Sequence, residues 1–222
     1  MKLIDIIEKI IMDYPVGEPV FNKDLAKAVC EITGLPLSKA SVYIAIAIRR
    51  LIGKGIKLKR FKKGVYYRYE DCLFGETFIN SAKLINKKYI KENSGYEIGP
   101  AVLNTMGFTT LMSNSPRVFV SNAAMRRSFT DKKLNVRILK PKTMLNEDNI
   151  LYFQFLDILK LVGETPIDNK HPEFIFKRFV ESYDLKLDLL ILCAYRFYEK
   201  DVLEAVLHFV EKLKGSYLGI SV

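Results

Sequence analysis

The first 55 positions carry apolar residues at helical spacing. Leu3, Ile6, Ile7, Ile10 and Ile11 alternate with Lys2, Asp5, Glu8, Lys9 and Asp13, which predicts an amphipathic helix over Met1 to Tyr14. Pro15 and Gly17 end it. A short apolar segment, Pro19 to Phe21, follows. Asn22 is the expected N-cap of a second helix through Leu25, Ala28, Val29 and Ile32, broken by Gly34 and Pro36. Ser38 is the expected cap of a third helix, with Ala40, Ile44, Ala47, Ile48 and Leu51 inward. Gly53-Lys54-Gly55 stops it. The period then changes to two. Ile56 to Phe61 and Val65 to Tyr69 predict a β-hairpin turning at Lys62-Lys63-Gly64. Three helices followed by a hairpin is the order of a winged helix-turn-helix.

Residues 71–78, with Phe74-Gly75-Glu76, read as a domain junction. A helix is expected over Thr77 to Lys91, with Phe78, Ala82, Ile85 and Ile90 inward, closed by Asn93-Ser94-Gly95. Tyr96-Glu97-Ile98, Val118-Phe119-Val120 and Val136 to Leu139 are the expected strands, and a short helix lies before Gly107. From Glu147 onward the pattern is helical. The segments are Ile150 to Val162, Phe174 to Tyr183, Leu185 to Tyr198 and Val202 to Leu213; the third is very apolar and reads as central to a helical core. The expected class is therefore α+β and mostly helical: an N-terminal winged helix-turn-helix, then a mixed α/β C-terminal domain ending in a helical bundle. The expected domains are 1–75 and 76–222, the latter divided into 76–145 (small sheet plus helices) and 146–222 (helical).

The 222 residues are 49% hydrophobic and 27% charged, enough to bury a core and unlike a disordered chain. No run reaches the roughly 20 apolar residues of a membrane span, because Lys186 and Asp188 interrupt the most apolar one. Asp5, Glu8 and Asp13 do not suit a signal peptide. Cys30, Cys72 and Cys193 are odd in number and far apart, as expected of free thiols in a reducing compartment. A cytoplasmic protein with no membrane partner is the expectation.

Charge sharpens the picture. Residues 1–75 hold 14 Lys/Arg against 8 Asp/Glu (+6), residues 76–145 hold 12 against 4 (+8), and residues 146–222 hold 9 against 13 (−4). Between Arg49 and Lys63 there are eight basic residues and no acid. Such a cluster needs solvent or an anion to screen it, and a phosphate backbone is the usual anion. The expected DNA-binding set is Lys39, Ser41, Tyr43, Arg49 and Arg50 on the third helix, Lys54 at its end, and Lys57, Lys59, Arg60, Lys62 and Lys63 on the wing. Base-edge contacts specify sequence and phosphate contacts position the protein. Lys39, Ser41 and Tyr43 are the expected readers of sequence. A second basic set comprises Lys83, Lys87, Lys88, Arg126, Arg127 and Arg137. A winged helix can equally dock a protein, and a lysine-rich hairpin can be merely solvated.

Signs of catalysis are sparse. His171 and His208 have no ligand at metal-site spacing. There is no phosphate-cradling glycine loop and no nucleophile elbow. Asp131, Glu147-Asp148 and Glu164/Asp168 are separated along the chain. The acidic residues of the last third read as solvated helix faces or a partner surface. A protein that is not an enzyme, with no cofactor and no metal, is the expectation.

Three blocks carry a family resemblance. The first runs from Ser41-Val42 through Ile48-Arg49-Arg50-Leu51-Ile52-Gly53-Lys54-Gly55-Ile56 to Lys63-Gly64-Val65-Tyr66-Tyr67. The second is Ser94 to Thr110, holding Gly95-Tyr96-Glu97-Ile98-Gly99-Pro100 and Gly107-Phe108-Thr109-Thr110. The third runs from Arg126-Arg127 to Val136-Arg137-Ile138-Leu139-Lys140. Together they resemble the AbiE-type antitoxins of type IV toxin–antitoxin systems, which act in phage abortive infection. Family members commonly continue the second block with Gln, where this chain has Leu111-Met112, so no role of that Gln transfers. The resemblance covers roughly residues 14–145, and the last third matches only in being helical. It implies an N-terminal domain that binds repeated sites in its own promoter and represses it. It implies a C-terminal domain that counters a nucleotidyltransferase toxin, with or without a stable complex. The rival readings are a transcriptional regulator with a ligand-sensing C-terminal domain and no toxin partner, and an enzyme acting on nucleic acid.

Overall fold

A computed structural model of the chain describes residues 2–73, 75–112 and 115–217. Phe74, assigned above to the junction, lies outside the described residues. The chain divides into two compact units, Met1–Asn86 and Lys87–Val222. The class is α+β.

The first unit contains α1 (Leu3–Met12), β1 (Val20–Phe21), α2 (Asn22–Thr33), α3 (Leu37–Gly53), β2 (Leu58–Lys62), β3 (Val65–Arg68), β4 (Asp71–Cys72), β5 (Gly75–Glu76) and α4 (Ser81–Ile85). Its core gathers Ile7 and Ile11 of α1, Leu25, Ala26 and Val29 of α2, and the expected inner row of α3 with Leu58. Burying such a row removes apolar surface from water at roughly 25 cal/mol per Å². β3 is the central strand of an antiparallel sheet, with β1 on one side and β2 on the other. Arg60 pairs with Tyr66 and Lys62 with Val65, so a bulge falls between them. Arg68 closes the unit: its guanidinium donates to the carbonyls of Met12 and Tyr14, each at 2.8 Å. These lie where α1 ends, where orphan carbonyls need donors.

Several local expectations are corrected. Asn22 does not cap α2. The Phe21–Val65 pairing continues into a bond from the Asn22 amide to the Gly64 carbonyl, so Asn22 becomes the first helical residue. Its side-chain oxygen is buried without a hydrogen bond. Ser38 does not cap α3 either, because the extended backbone of Pro36 already starts the helix at Leu37. The segment at Val20 is a third strand, too short for its period to be visible.

The division of the chain falls after Asn86, later than residue 75. Asn80 is the reason: its backbone N–H donates to Gly17 at 2.8 Å, and its side chain accepts from the Lys83 amide, capping α4. Lys83 also pairs with Glu18 at 2.8 Å. The helix therefore starts at Ser81, and Phe78 and Ala82 are exposed rather than inward. Leu84 and Ile85 are the buried residues of α4, and Tyr89 is the buried residue of the π-helical turn over Asn86–Ile90 that follows.

The second unit opens on β6 (Gly95–Ile98), α5 (Pro100–Met106), β7 (Arg117–Ser121), β8 (Phe129–Asp131) and β9 (Val136–Leu139). The sheet order is β6-β7-β9-β8, with β7 and β9 parallel and the other pairs antiparallel. Gly95 sits where a Cβ would collide with the Tyr89 and Val120 carbonyls, so only glycine fits this close backbone approach. Four helices follow: α6 (Ile150–Glu164), α7 (Pro172–Ser182), α8 (Leu187–Phe197) and α9 (Lys200–Tyr217). Phe108, Phe155, Phe176, Phe179 and Phe209 fill their core. Phe155 meets Phe176 and Phe179 edge-on.

α8 joins the helical core along one side, where Leu187, Ile191 and Cys193 pack half-buried beside the fully buried residues. Leu190 and Ala194 are buried, whereas Leu189, Leu192 and Tyr195 are exposed. Among the described residues, no single helix is long and apolar enough to cross a membrane.

One polar cluster lies inside this unit. The hydroxyls of Tyr96 on β6 and Tyr198 after α8 donate to the two carboxylate oxygens of Asp157 on α6, at 2.6 and 2.7 Å. Burial pushes both phenols up, and the carboxylate they face pushes them further. Burial also pushes the Asp157 carboxyl above its ordinary value, against the two hydroxyls and the nearby Lys142 and Lys160. A carboxyl raised on folding stabilises the fold fully below the ordinary value of 3.8, and that contribution is lost as pH rises through the folded value. Asp157→Asn cannot ionise. Its stability relative to the natural protein should therefore increase with pH across this window in urea titrations. A pH-independent difference would remove burial as the governing effect.

Candidate nucleic-acid interface

An amphipathic helix with one buried row must present the rest of its surface outward. On α3, Lys39, Ser41, Tyr43, Arg49 and Arg50 are all exposed. Lys39, Tyr43, Ile46 and Arg50 form one row at i, i+4, i+7 and i+11. Val42, Ala45 and Arg49 form the row beside it. The outermost strip is apolar in its middle, with Val42 61% and Ile46 45% exposed. No charge marks Val42, Ala45 and Ile46 in the sequence; the signal that places them on this surface is their spacing, opposite the inner row. Ser41 is less available than expected, because its hydroxyl donates to the Leu37 carbonyl at 2.8 Å.

The hairpin of β2 and β3 divides its cations into two groups. Lys57 pairs with Asp71 at 2.6 Å, and this hydrogen bond pushes its ammonium above the ordinary lysine value. Lys59 pairs with Glu76 and lies over the Tyr69 ring. The acids come from the small β4–β5 ladder, in which Asp71 is paired with Glu76 across the strands. Lys62 lies over Phe61. Arg60 and Lys63 are exposed. Among the described residues, Lys39, Arg49, Arg50, Lys54, Arg60 and Lys63 have no acidic partner. These six cations, on α3 and the hairpin of one unit, are what remains available to an anion.

The second basic set does not act as one group. Lys83 belongs to the first unit and is paired with Glu18. Lys87 is half-buried. Lys88 pairs with Asp131 at 2.7 Å, and Tyr89 donates to the same carboxylate. Arg126, Arg127 and Arg137 are exposed, Arg137 on β9.

Glu147 and Asp148 are exposed, and the other separated carboxylates have separate partners. Asp131 meets Lys88 and Tyr89, Glu164 meets Lys160, and Asp168 accepts from the Thr110 amide and hydroxyl. The Thr110 donors hold the Asp168 carboxyl below its ordinary range. His171 lies beside Glu173, and His208 is exposed on α9. Among the described residues, no group of three or more His, Cys, Asp and Glu side chains is placed to hold a metal ion.

Comparisons with protein-family models, curated proteins and solved structures give no match to this chain.

The double variant Asp71→Asn/Glu76→Gln releases Lys57 and Lys59. It should elute from a heparin column at higher salt than the natural protein, since each freed cation adds to the counterion-release slope. Unchanged elution would mean that these two lysines face away from a bound polyanion.

Proposed function

We propose that the first unit is a winged helix that binds double-stranded DNA, and that the chain is an antitoxin that represses its own operon. The observation that carries the DNA half is the set of six cations without acidic partners on α3 and the hairpin. The element order supports it: helix, strand, two helices and a hairpin, with the first strand completing a three-stranded sheet. α3 has 17 residues, about 25 Å of helix, a length the major groove accommodates. On this reading Arg49, Arg50, Lys54, Arg60 and Lys63 contact phosphates. Lys39 and Tyr43 reach base edges. Val42 and Ala45 are suited to thymine methyl groups, the apolar feature of that groove.

The quadruple variant Arg49→Ala/Arg50→Ala/Arg60→Ala/Lys63→Ala tests it. The slope of log affinity against log salt, measured on promoter DNA by fluorescence anisotropy, should flatten by about 3 to 4, roughly 0.9 for each lost contact. Lys57→Ala/Lys59→Ala should flatten it far less, because both lysines are already neutralised. Equal slopes in the natural and quadruple proteins would refute the assignment. A second reading has its own observation. An open groove lined by Ile4, Ile7, Tyr43 and Ile46 together with Lys2 and Arg50 runs beside the exposed apolar strip of α3, which favours protein docking. Absence of DNA binding would leave that reading in place.

The antitoxin half rests on the resemblance of the three blocks. Its support in the fold is the continuity of the second block. Gly95 makes a close approach that only glycine tolerates, Pro100 opens α5, Gly107 closes it with a left-handed backbone, and Asp168 holds Thr110. The test is growth rescue in cells expressing a nucleotidyltransferase encoded beside this chain. Both the natural protein and the quadruple variant should rescue growth, with only the natural protein silencing the promoter. Promoter silencing without rescue would favour a ligand-sensing regulator.

A further inference from the structure

We propose that α8 is the contact face of a symmetric dimer, in which it packs antiparallel against α8 of a second copy.

α8 buries one side through Leu190 and Ala194 and leaves the other uncovered. The uncovered side is apolar at its centre: Leu189 is 43%, Leu192 48% and Tyr195 72% exposed. Water contact with three large side chains on one short helix is unfavourable, and a contiguous patch of this kind marks an interaction site.

The order of residues on that face selects the occupant. On a helix the surface neighbours of Leu192 are the positions three and four residues away. These are Leu189 and Tyr195 at three residues, and Asp188 and Arg196 at four. The face is thus arranged symmetrically about Leu192, with apolar residues at the inner pair of positions and opposite charges at the outer pair. A two-fold axis through Leu192 brings each residue opposite the one equally distant on the other side. Leu192 then meets Leu192 of the second copy, Leu189 meets Tyr195, and Asp188 meets Arg196, twice. A parallel arrangement would place like charges together.

Among the described residues, no close ion pair within the chain competes for the outer charges of Asp188 and Arg196, although Lys186 attracts Asp188 at longer range. They cannot pair with one another in one chain, since eight residues of helix separate them by about 12 Å. Arg196 instead lies over the Phe197 ring of its own helix, an exposed contact that leaves the guanidinium edge available. Together these features fit an isologous helix pair with an apolar centre and a charged rim.

Sedimentation equilibrium of the full chain, from micromolar to sub-millimolar concentration, tests the proposal with charge exchange. The natural protein should show a reversible monomer–dimer equilibrium. Asp188→Arg places arginine against Arg196 of the second copy, and Arg196→Asp places aspartate against Asp188. Each should weaken the dimer about tenfold or more, since like charges facing across an interface are strongly unfavourable. Asp188→Arg/Arg196→Asp restores opposite charges and should return the dissociation constant to within about threefold of the natural value. Both positions are exposed, so far-ultraviolet circular dichroism and the melting temperature should be unchanged, which separates dissociation from unfolding. Leu192→Glu should abolish the dimer and provides a variant independent of the charged rim. A natural protein that stays monomeric throughout overturns the proposal and gives the face to a different protein. A dimer indifferent to the single exchanges, or one not restored by the double exchange, places the interface elsewhere and equally overturns it.

Discussion

Burial of Ala40, Ile44, Ala47, Ile48 and Leu51 along one side of α3 sets the direction of every other side chain on that helix. A helix has one row to give to the core, and once it is given the remaining positions face outward by geometry alone. Lys39, Arg49 and Arg50 become available to an anion for this reason, and Val42 and Ile46 become exposed for the same reason. The sheet follows from it too. The chain leaving α3 pairs with itself as β2 and β3, Leu58 joins the same core, and Arg68 then anchors the end of α1. The candidate interface is thus a by-product of how a small core is closed.

Charge counted along a chain differs from charge presented in space. The basic run before Lys63 contains no acid, yet Lys57 and Lys59 are matched by Asp71 and Glu76, which follow in sequence and fold back as a two-stranded ladder. Exposed pairs of this kind contribute little to stability. Their larger effect is on the field, since they narrow the positive region to the residues that stay unmatched. The same holds in the middle of the chain, where Lys83 and Lys88 are absorbed by Glu18 and Asp131. Arginines at 126, 127 and 137 remain exposed.

Apolar content is an equally indirect guide to burial. α6 and α8 are both rich in leucine and aromatic residues. α6 is buried at Phe153, Phe155, Leu156 and Ile158, while α8 fully buries Leu190 and Ala194 and keeps Leu187, Ile191 and Cys193 half-buried against the same core. The asymmetry arises because α6 lies against both the sheet, through Ile150 and Phe153, and the helical core, through Phe155 and Leu156. Tyr96 and Tyr198, both bonded to Asp157, tie the first strand of that sheet to α6 and to the end of α8. One face of α8 is held by this arrangement, and nothing in the chain covers the other among the described residues.

Periodicity alone determined the first three helices of the first unit, the inner row of α3, the presence of the hairpin, and the helical last third, because these depend on neighbours within a few residues; the turn expected over Lys62-Lys63-Gly64 is narrowed to Lys63-Gly64, Lys62 pairing with Val65 in the sheet. It also identified the α+β class, and charge, densest in the run of basic residues from Arg49 to Lys63, identified the cations of the candidate interface. The tertiary structure alone decided which of those cations stay unpaired, since Asp71 and Glu76 act across a turn that composition does not place. It decided that Asn22 enters a helix instead of capping it, through a bond to Gly64 more than 40 residues away. It decided that β1 is a strand, that the division of the chain lies after Asn86, and that Leu192 faces solvent. Each of these outcomes depends on a partner distant in sequence. A pattern along the chain records what a residue can do locally; which groups meet it is settled only when the chain has packed.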